Sequence, residues 1–78
     1  MKEPKYDFIW KDKQGKPLTE REQQVLKFVV MGKSNSEIAE ELVISVHTAK
    51  AHVCSILQKM SVDDRVQAAV KAVREGLV

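Results

Sequence analysis

Apolar residues recur at helical spacing in four separate blocks, each bounded by capping or turn chemistry, and together they predict an all-α chain. The first block carries Val25, Leu26, Phe28, Val29 and Val30 and begins at the run LTERE. Thr19 and Glu22 stand there at capping-box spacing, each able to satisfy an orphan backbone donor. This helix should run to about Met31, with Gly32 ending it in a left-handed turn. Ser34 and Glu37 repeat the capping-box spacing before a second block, in which Ile38, Ala39 and Leu42 face inward and Glu37, Glu40 and Glu41 face solvent. In the third block Val46, Ala49, Val53, Ile56, Leu57 and Met60 fall within a sector of roughly 100°. Ser45 is placed to cap it. Between the second and third helices only Val43 and Ile44 remain, so the chain must turn sharply, with Ile44 as a buried pin. That is a helix-turn-helix without the usual turn glycine. A fourth helix follows SVDD, starting at Ser61 or Asp63, running to Glu75 and capped by Gly76.

The expected organisation is one tetrahelical helix-turn-helix domain over 18–78, preceded by a flexible N-terminal arm or interdomain linker over 1–17. Pro4, Gly15 and Pro17 punctuate that arm, and its apolar residues cluster at Tyr6, Phe8, Ile9 and Trp10.

The fourth helix has two apolar stripes where a small core needs one. Ala68, Ala69 and Ala72 point one way, while Val66, Val70, Val73 and Leu77 share a face roughly 110° away. If solvent-exposed in a monomer, that valine face predicts a two-fold homodimer through the fourth helix. The competing reading is that the arm, with Phe8 and Trp10, covers it.

The outer face of the third helix carries the functional argument. His47, Lys50, Ala51, Cys54, Ser55 and Gln58 lie opposite its apolar stripe, and from Leu42 to Val62 there is no Asp or Glu. An acid-free face of small and basic side chains suits approach to polyanionic double-stranded DNA, and small residues let a helix sit close to base edges. Net charge is only +2, so the whole chain does not announce a nucleic-acid binder. Its distribution is more informative: residues 1–16 hold five Lys against three acids, and 34–41 hold three acids and no base.

Other classes are disfavoured. At 78 residues there is room for one small domain, and a single Cys excludes an internal disulfide framework and fits a reducing cytoplasm. No apolar run reaches membrane-spanning length, so a soluble, cytoplasmic protein with no membrane partner is expected. His47, His52 and Cys54 are the only soft ligands, and on one helix they stand about 140° and 160° apart, so they cannot converge on a metal. Neither a paired-carboxylate site nor a phosphate loop is visible; no cofactor and no enzymatic activity are expected. Cys54 is a candidate redox site on the outer face, set against the plainer reading of an inert small side chain.

From Leu18 to Leu77 the chain resembles the LuxR-type helix-turn-helix domain, the DNA-binding module of FixJ/NarL response regulators and of small stand-alone regulators such as GerE. The marks are LTxRE, the Gly32–Lys33–Ser34–Asn35 corner, EIAxxL, the IS corner, TxKxH, the ILxKM end, and VxxRxxA with a terminal GL. The resemblance implies a transcription regulator whose third helix enters the major groove and whose fourth can dimerise. Carried over by position, Thr48, Lys50 and His52 match TxKxH, with Lys50 the leading contact. Ala51 and Cys54 match groove-facing positions, and Lys59 matches a basic slot near the DNA backbone. Arg65 is expected to make an internal ion pair with Glu22 or Glu37. Ala49 stands where valine is usual, and Cys54 where several relatives carry a polar or basic reader, so no relative's operator transfers.

The expected base-facing set is His47, Lys50, Ala51, Cys54 and Gln58, and the phosphate set is Lys33, Ser45, Thr48, His52 and Lys59. RNA polymerase is a further partner the resemblance allows. The chain reads either as the effector half of a two-component response regulator or as a stand-alone regulator. The rival from another class is a protein-interaction module that uses the fourth helix and touches no DNA.

Overall fold

The computed structural model describes residues 18–77, and the arm expected over 1–17 lies outside them. Four helices follow in order: α1 Glu20–Val30, α2 Asn35–Leu42, α3 Val46–Met60 and α4 Arg65–Arg74. No strand occurs among the described residues, so the all-α expectation holds.

Local chemistry sets the boundaries. Both capping boxes form: Thr19 and Ser34 each accept from the backbone N–H three residues on, while Glu22 and Glu37 reach back to the N–H of the capping residue. Ser45 Oγ accepts the backbone N–H of Thr48 at 3.0 Å and starts α3. For α4 the cap is Asp64, whose carboxylate accepts the Gln67 N–H at 2.9 Å, rather than Ser61 or Asp63. Ser61 instead takes a left-handed conformation (φ 57°) that closes α3.

All four helices end through a residue with positive φ: Gly32, Val43, Ser61 and Gly76. In each case the next N–H turns back onto the last helical turn, as in Lys33 N–H to Phe28 C=O and Ile44 N–H to Ala39 C=O, both 3.0 Å. Glycine adopts this geometry freely, whereas Val43 carries a branched Cβ into it at φ 56°. The corner of the helix-turn-helix is therefore made without glycine, at a conformational cost.

α1 packs on α4 and α3, α2 crosses α3, and α3 also meets α4. The core so formed takes Val25, Leu26 and Val29 from α1, Ile38 and Ala39 from α2, Ala49, Val53, Ile56 and Met60 from α3, and Ala68 and Ala72 from α4, with Leu18 ahead of α1. Ala49, fully buried, is a small plug in this core. Ile44 packs against this core from the corner but is half-buried, short of the buried pin expected. Val46 remains half out at 49% exposure, so the predicted stripe of α3 is one residue shorter at its start.

Candidate nucleic-acid interface

α3 presents the outer face that its periodicity predicts. His47, Lys50, Ala51, Cys54 and Gln58 are all exposed, on the side away from Ala49, Val53, Ile56 and Met60. Ser55, at the edge of the same face by helical angle, does not join them. Its hydroxyl donates to Glu22 Oε2 at 2.6 Å, because α1 covers that flank.

The expected phosphate set divides. At the N-terminus of α3, Ser45 Oγ accepts the Thr48 N–H and donates to Thr48 Oγ1 at 2.9 Å. Thr48 thus accepts within the protein and keeps its own O–H proton available to an outside acceptor. The first turn of α3 has no acidic side chain, so the positive end of the helix dipole is left unopposed there. His52 is half-buried on the flank of the helix. Lys33, at the α1–α2 corner, makes only a loose pair with Glu41 at 3.8 Å.

Lys59 departs from expectation. Its ammonium lies 2.8 Å from Glu22 Oε1, both side chains are largely buried, and so it is held inside the fold rather than presented to a phosphate. Glu22 is the residue that sequence reasoning undervalued. It is only 5% exposed, yet its carboxylate accepts from Lys59, from Ser55 and from the Thr19 N–H. Burial pushes its carboxyl up, but these hydrogen bonds and the Lys59 charge together outweigh burial and hold it below the ordinary value. The capping-box spacing identified one of its bonds; the other two come from residues more than thirty positions away.

Arg65 also differs from the expected ion pair with Glu22 or Glu37. Its guanidinium donates to Asn35 Oδ1 and to the Lys33 carbonyl, both at 2.8 Å. Glu22 is already engaged by Lys59, and Glu37 closes its own capping box. Arg65 therefore ties the start of α4 to the corner that leads into α2. Lys71 does similar work at the far end, donating to the Met60 carbonyl at 2.9 Å, where α3 leaves its last carbonyls without helical partners.

On α4, Val66, Val70 and Val73 are 68%, 47% and 59% exposed. Leu77, expected on the same face, packs against the core instead. Cys54 is exposed and unbridged. Among the described residues no group of three or more His, Cys, Asp or Glu could hold a metal ion. No helix among them is long and apolar enough to cross a membrane.

The model for bacterial regulatory proteins of the luxR family matches residues 16–72. The transcriptional regulatory protein LiaR of Bacillus subtilis is 51% identical over 61 residues, covering 78% of this chain and 29% of LiaR. The response regulator VraR of Staphylococcus aureus is 44% identical over 61 residues, again 78% of this chain and 29% of VraR. Among solved structures, the response regulator ChrA of a heme-sensing two-component system superposes with a TM-score of 0.76 at 35% identity, covering 81% of this chain and 31% of ChrA. The chain thus spans less than a third of the length of these relatives.

Proposed function

The chain belongs to the luxR family of bacterial regulatory proteins, and we propose that it binds double-stranded DNA sequence-specifically, as a dimer, with α3 in the major groove. The observation that carries this reading is the acid-free outer face of α3, where His47, Lys50, Ala51, Cys54 and Gln58 stand exposed together. In this reading Lys50 supplies the main base or phosphate contact, and Ala51 and Cys54 allow close approach to base edges. Ser45, Thr48, His52 and Lys33 hold phosphates on either side and fix the register of the helix. Lys59 leaves that group and becomes a strut, since its charge is already neutralised by Glu22. The folded unit is 18–78, the chain acts in the cytoplasm, and regulation of transcription brings it to RNA polymerase.

The valine face of α4 supports the dimer. Three exposed valines in a row on one helix lose unfavourable contact with water when a second copy lays its own α4 against them. Two copies so joined would present two α3 helices to a repeated half-site. If the chain works within a response regulator, as in relatives of that description, phosphorylation control comes from a receiver domain outside this sequence.

The test is selection from a random-sequence DNA pool, with Lys50→Ala as the control. Enrichment of one motif that Lys50→Ala abolishes is expected, with a repeated half-site giving the dimer spacing. Absence of enrichment, with no binding even at low salt, would sink the DNA reading and leave the α4 surface as the functional one.

A further inference from the structure

His47, Ala51, Cys54 and Gln58 follow one another along α3 at intervals of four, three and four residues. At about 100° per residue they stay within a sector of roughly 60°, so the four exposed side chains form one ridge. The ridge is polar at both ends and apolar in the middle. His47 and Gln58 carry strong hydrogen-bonding groups, whereas Ala51 ends in a methyl and Cys54 in a thiol, which is only a weak donor and acceptor. Lys50 stands exposed beside the ridge, one residue before Ala51.

Size follows the same pattern. A helix with its side chains is about 10–12 Å across, and the major groove is about 12 Å wide, so closest approach falls where the side chains are shortest. Long side chains in the middle of the ridge would hold the helix off the base edges. Here the middle is short, and the longer side chains flank it.

The chemistry of that middle limits what it can read. In the major groove guanine offers acceptors, cytosine a donor, adenine one of each, and thymine an acceptor with a 5-methyl group. Purine edges are read by the paired donors of Arg or Lys and the amides of Asn or Gln, and the cytosine amine by a carboxylate. Ala51 and Cys54 have none of these groups, and α3 has no acidic residue. The base feature that an alkyl and a thiol side chain distinguish is the thymine methyl, whose apolar surface they remove from water. The two residues are three apart, about 4.5 Å along the helix axis, and base pairs are about 3.4 Å apart. Each therefore addresses its own base pair, next to the other's.

We infer that Ala51 and Cys54 select thymine, on either strand, at two neighbouring positions in the centre of the half-site, each read through its 5-methyl group. Lys50, His47 and Gln58 read hydrogen-bonding edges on either side. This rests on the DNA reading above and adds to it the base that the apolar centre of α3 demands.

The motif selected from the random pool supplies the DNA. Deoxyuridine replaces thymidine in it one position at a time, which removes the methyl and keeps every hydrogen bond of the base pair. Affinity for the full chain is read by fluorescence anisotropy. Two neighbouring thymines should each lose about fourfold, the worth of one buried methyl group. At the same two positions, 5-methylcytosine should bind more tightly than cytosine by a similar factor. Cys54→Ser and Ala51→Ser keep the side chains short and place a hydroxyl at the reading atom. Each should erase the uridine penalty at one position and leave it at the other, with the salt slope unchanged. A selected motif without neighbouring thymines, affinity indifferent to uridine throughout, or a penalty that both serine variants retain would overturn the methyl reading and leave sequence-specific binding intact. No enriched motif, with no binding even at low salt, would remove the DNA reading and this one with it.

Discussion

Lys59 Nζ lies 2.8 Å from Oε1 of Glu22, joining the last turn of α3 to the first turn of α1 across 37 residues of sequence. The pair links the two helices at one end of the core. Together with the Ser55 bond to the same carboxylate it ties the inner flank of α3 to α1. Removing the charge of Glu22 takes a largely buried counter-charge away from Lys59, and losing one side of such a pair costs more than the intact pair contributes. Glu22→Gln keeps the capping-box geometry but not the charge, and should lower unfolding free energy by about 2 kcal/mol. Lys59→Met in the same background should cost less than Lys59→Met alone, since both substitutions remove the Glu22–Lys59 interaction. Urea denaturation of the four proteins measures both numbers.

The same carboxylate predicts an acid limb. Its pKa in the folded protein is below the ordinary 4.5, so the unfolded chain takes up its proton first. The stabilisation is present in full above that ordinary value and is lost as pH falls through the lower, folded one. Wild type should lose stability steeply on acidification, and Glu22→Gln should show a shallower loss. Parallel slopes for the two proteins would assign the acid limb to other groups.

Lys50 and Lys59 are nine residues apart on α3 and should behave oppositely. Lys50 is exposed on the outer face, whereas Lys59 is held by Glu22. Lys50→Ala should leave the melting temperature within a degree or two and weaken DNA binding. If its contact is to a phosphate, the log–log salt slope flattens by about one unit. Lys59→Met should destabilise the fold and leave that slope unchanged. Fluorescence anisotropy over a salt series separates the two.

How much of this was legible in the sequence follows from the range of each interaction. The capping boxes at Thr19–Glu22 and Ser34–Glu37 span three residues, and the outer face of α3 follows from helical angle alone, so both could be predicted without packing. Ser55, Lys59 and Arg65 find partners thirty or more residues away, and nothing local specifies them. Ser55 sits on the outer face by angle, but α1 covers that side. Arg65 was expected on a carboxylate, yet both carboxylates already had donors, so its planar fork took a side-chain amide and a backbone carbonyl. At the start of α4, Ser61, Asp63 and Asp64 all have capping chemistry; the left-handed turn at Ser61 assigns it to the end of α3, and the Gln67 N–H on the Asp64 carboxylate identifies Asp64 as the cap.

Arg65 makes two parallel-reaching bonds, to Asn35 and to the Lys33 carbonyl, that a lysine cannot reproduce. Arg65→Lys should cost about 1–2 kcal/mol of stability. Because those bonds hold the corner leading into α2, DNA affinity should fall without any change in salt slope. Hydrogen exchange at the Lys33–Asn35 amides should rise in the variant; unaltered exchange there would show that the latch does not hold the corner.

Val43 is 89% exposed and stands in a left-handed conformation that a branched residue disfavours. Val43→Gly relieves that strain but adds freedom to the unfolded chain, so the net gain should be about 0.5–1 kcal/mol. The corner geometry is already the one glycine prefers, so affinity for DNA should be preserved. A thermal melt that is lower than wild type would mean that the Val43 side chain contributes more than its conformation costs.

Val70 occupies the middle of the exposed ridge on α4, flanked one turn either way by Val66 and by Val73. A charge placed there meets its own copy across a two-fold axis, so Val70→Lys opposes two ammonium groups in an apolar contact. The side chain is 47% exposed in the single chain, so the folded monomer should tolerate the change. Binding to one half-site should therefore persist, while the gain in affinity from a second, correctly spaced half-site disappears, because that gain comes from linking two α3 helices. Comparing one-site and two-site DNA for wild type and Val70→Lys isolates this term. Equal preference for two-site DNA in both proteins would place the dimer contact away from α4.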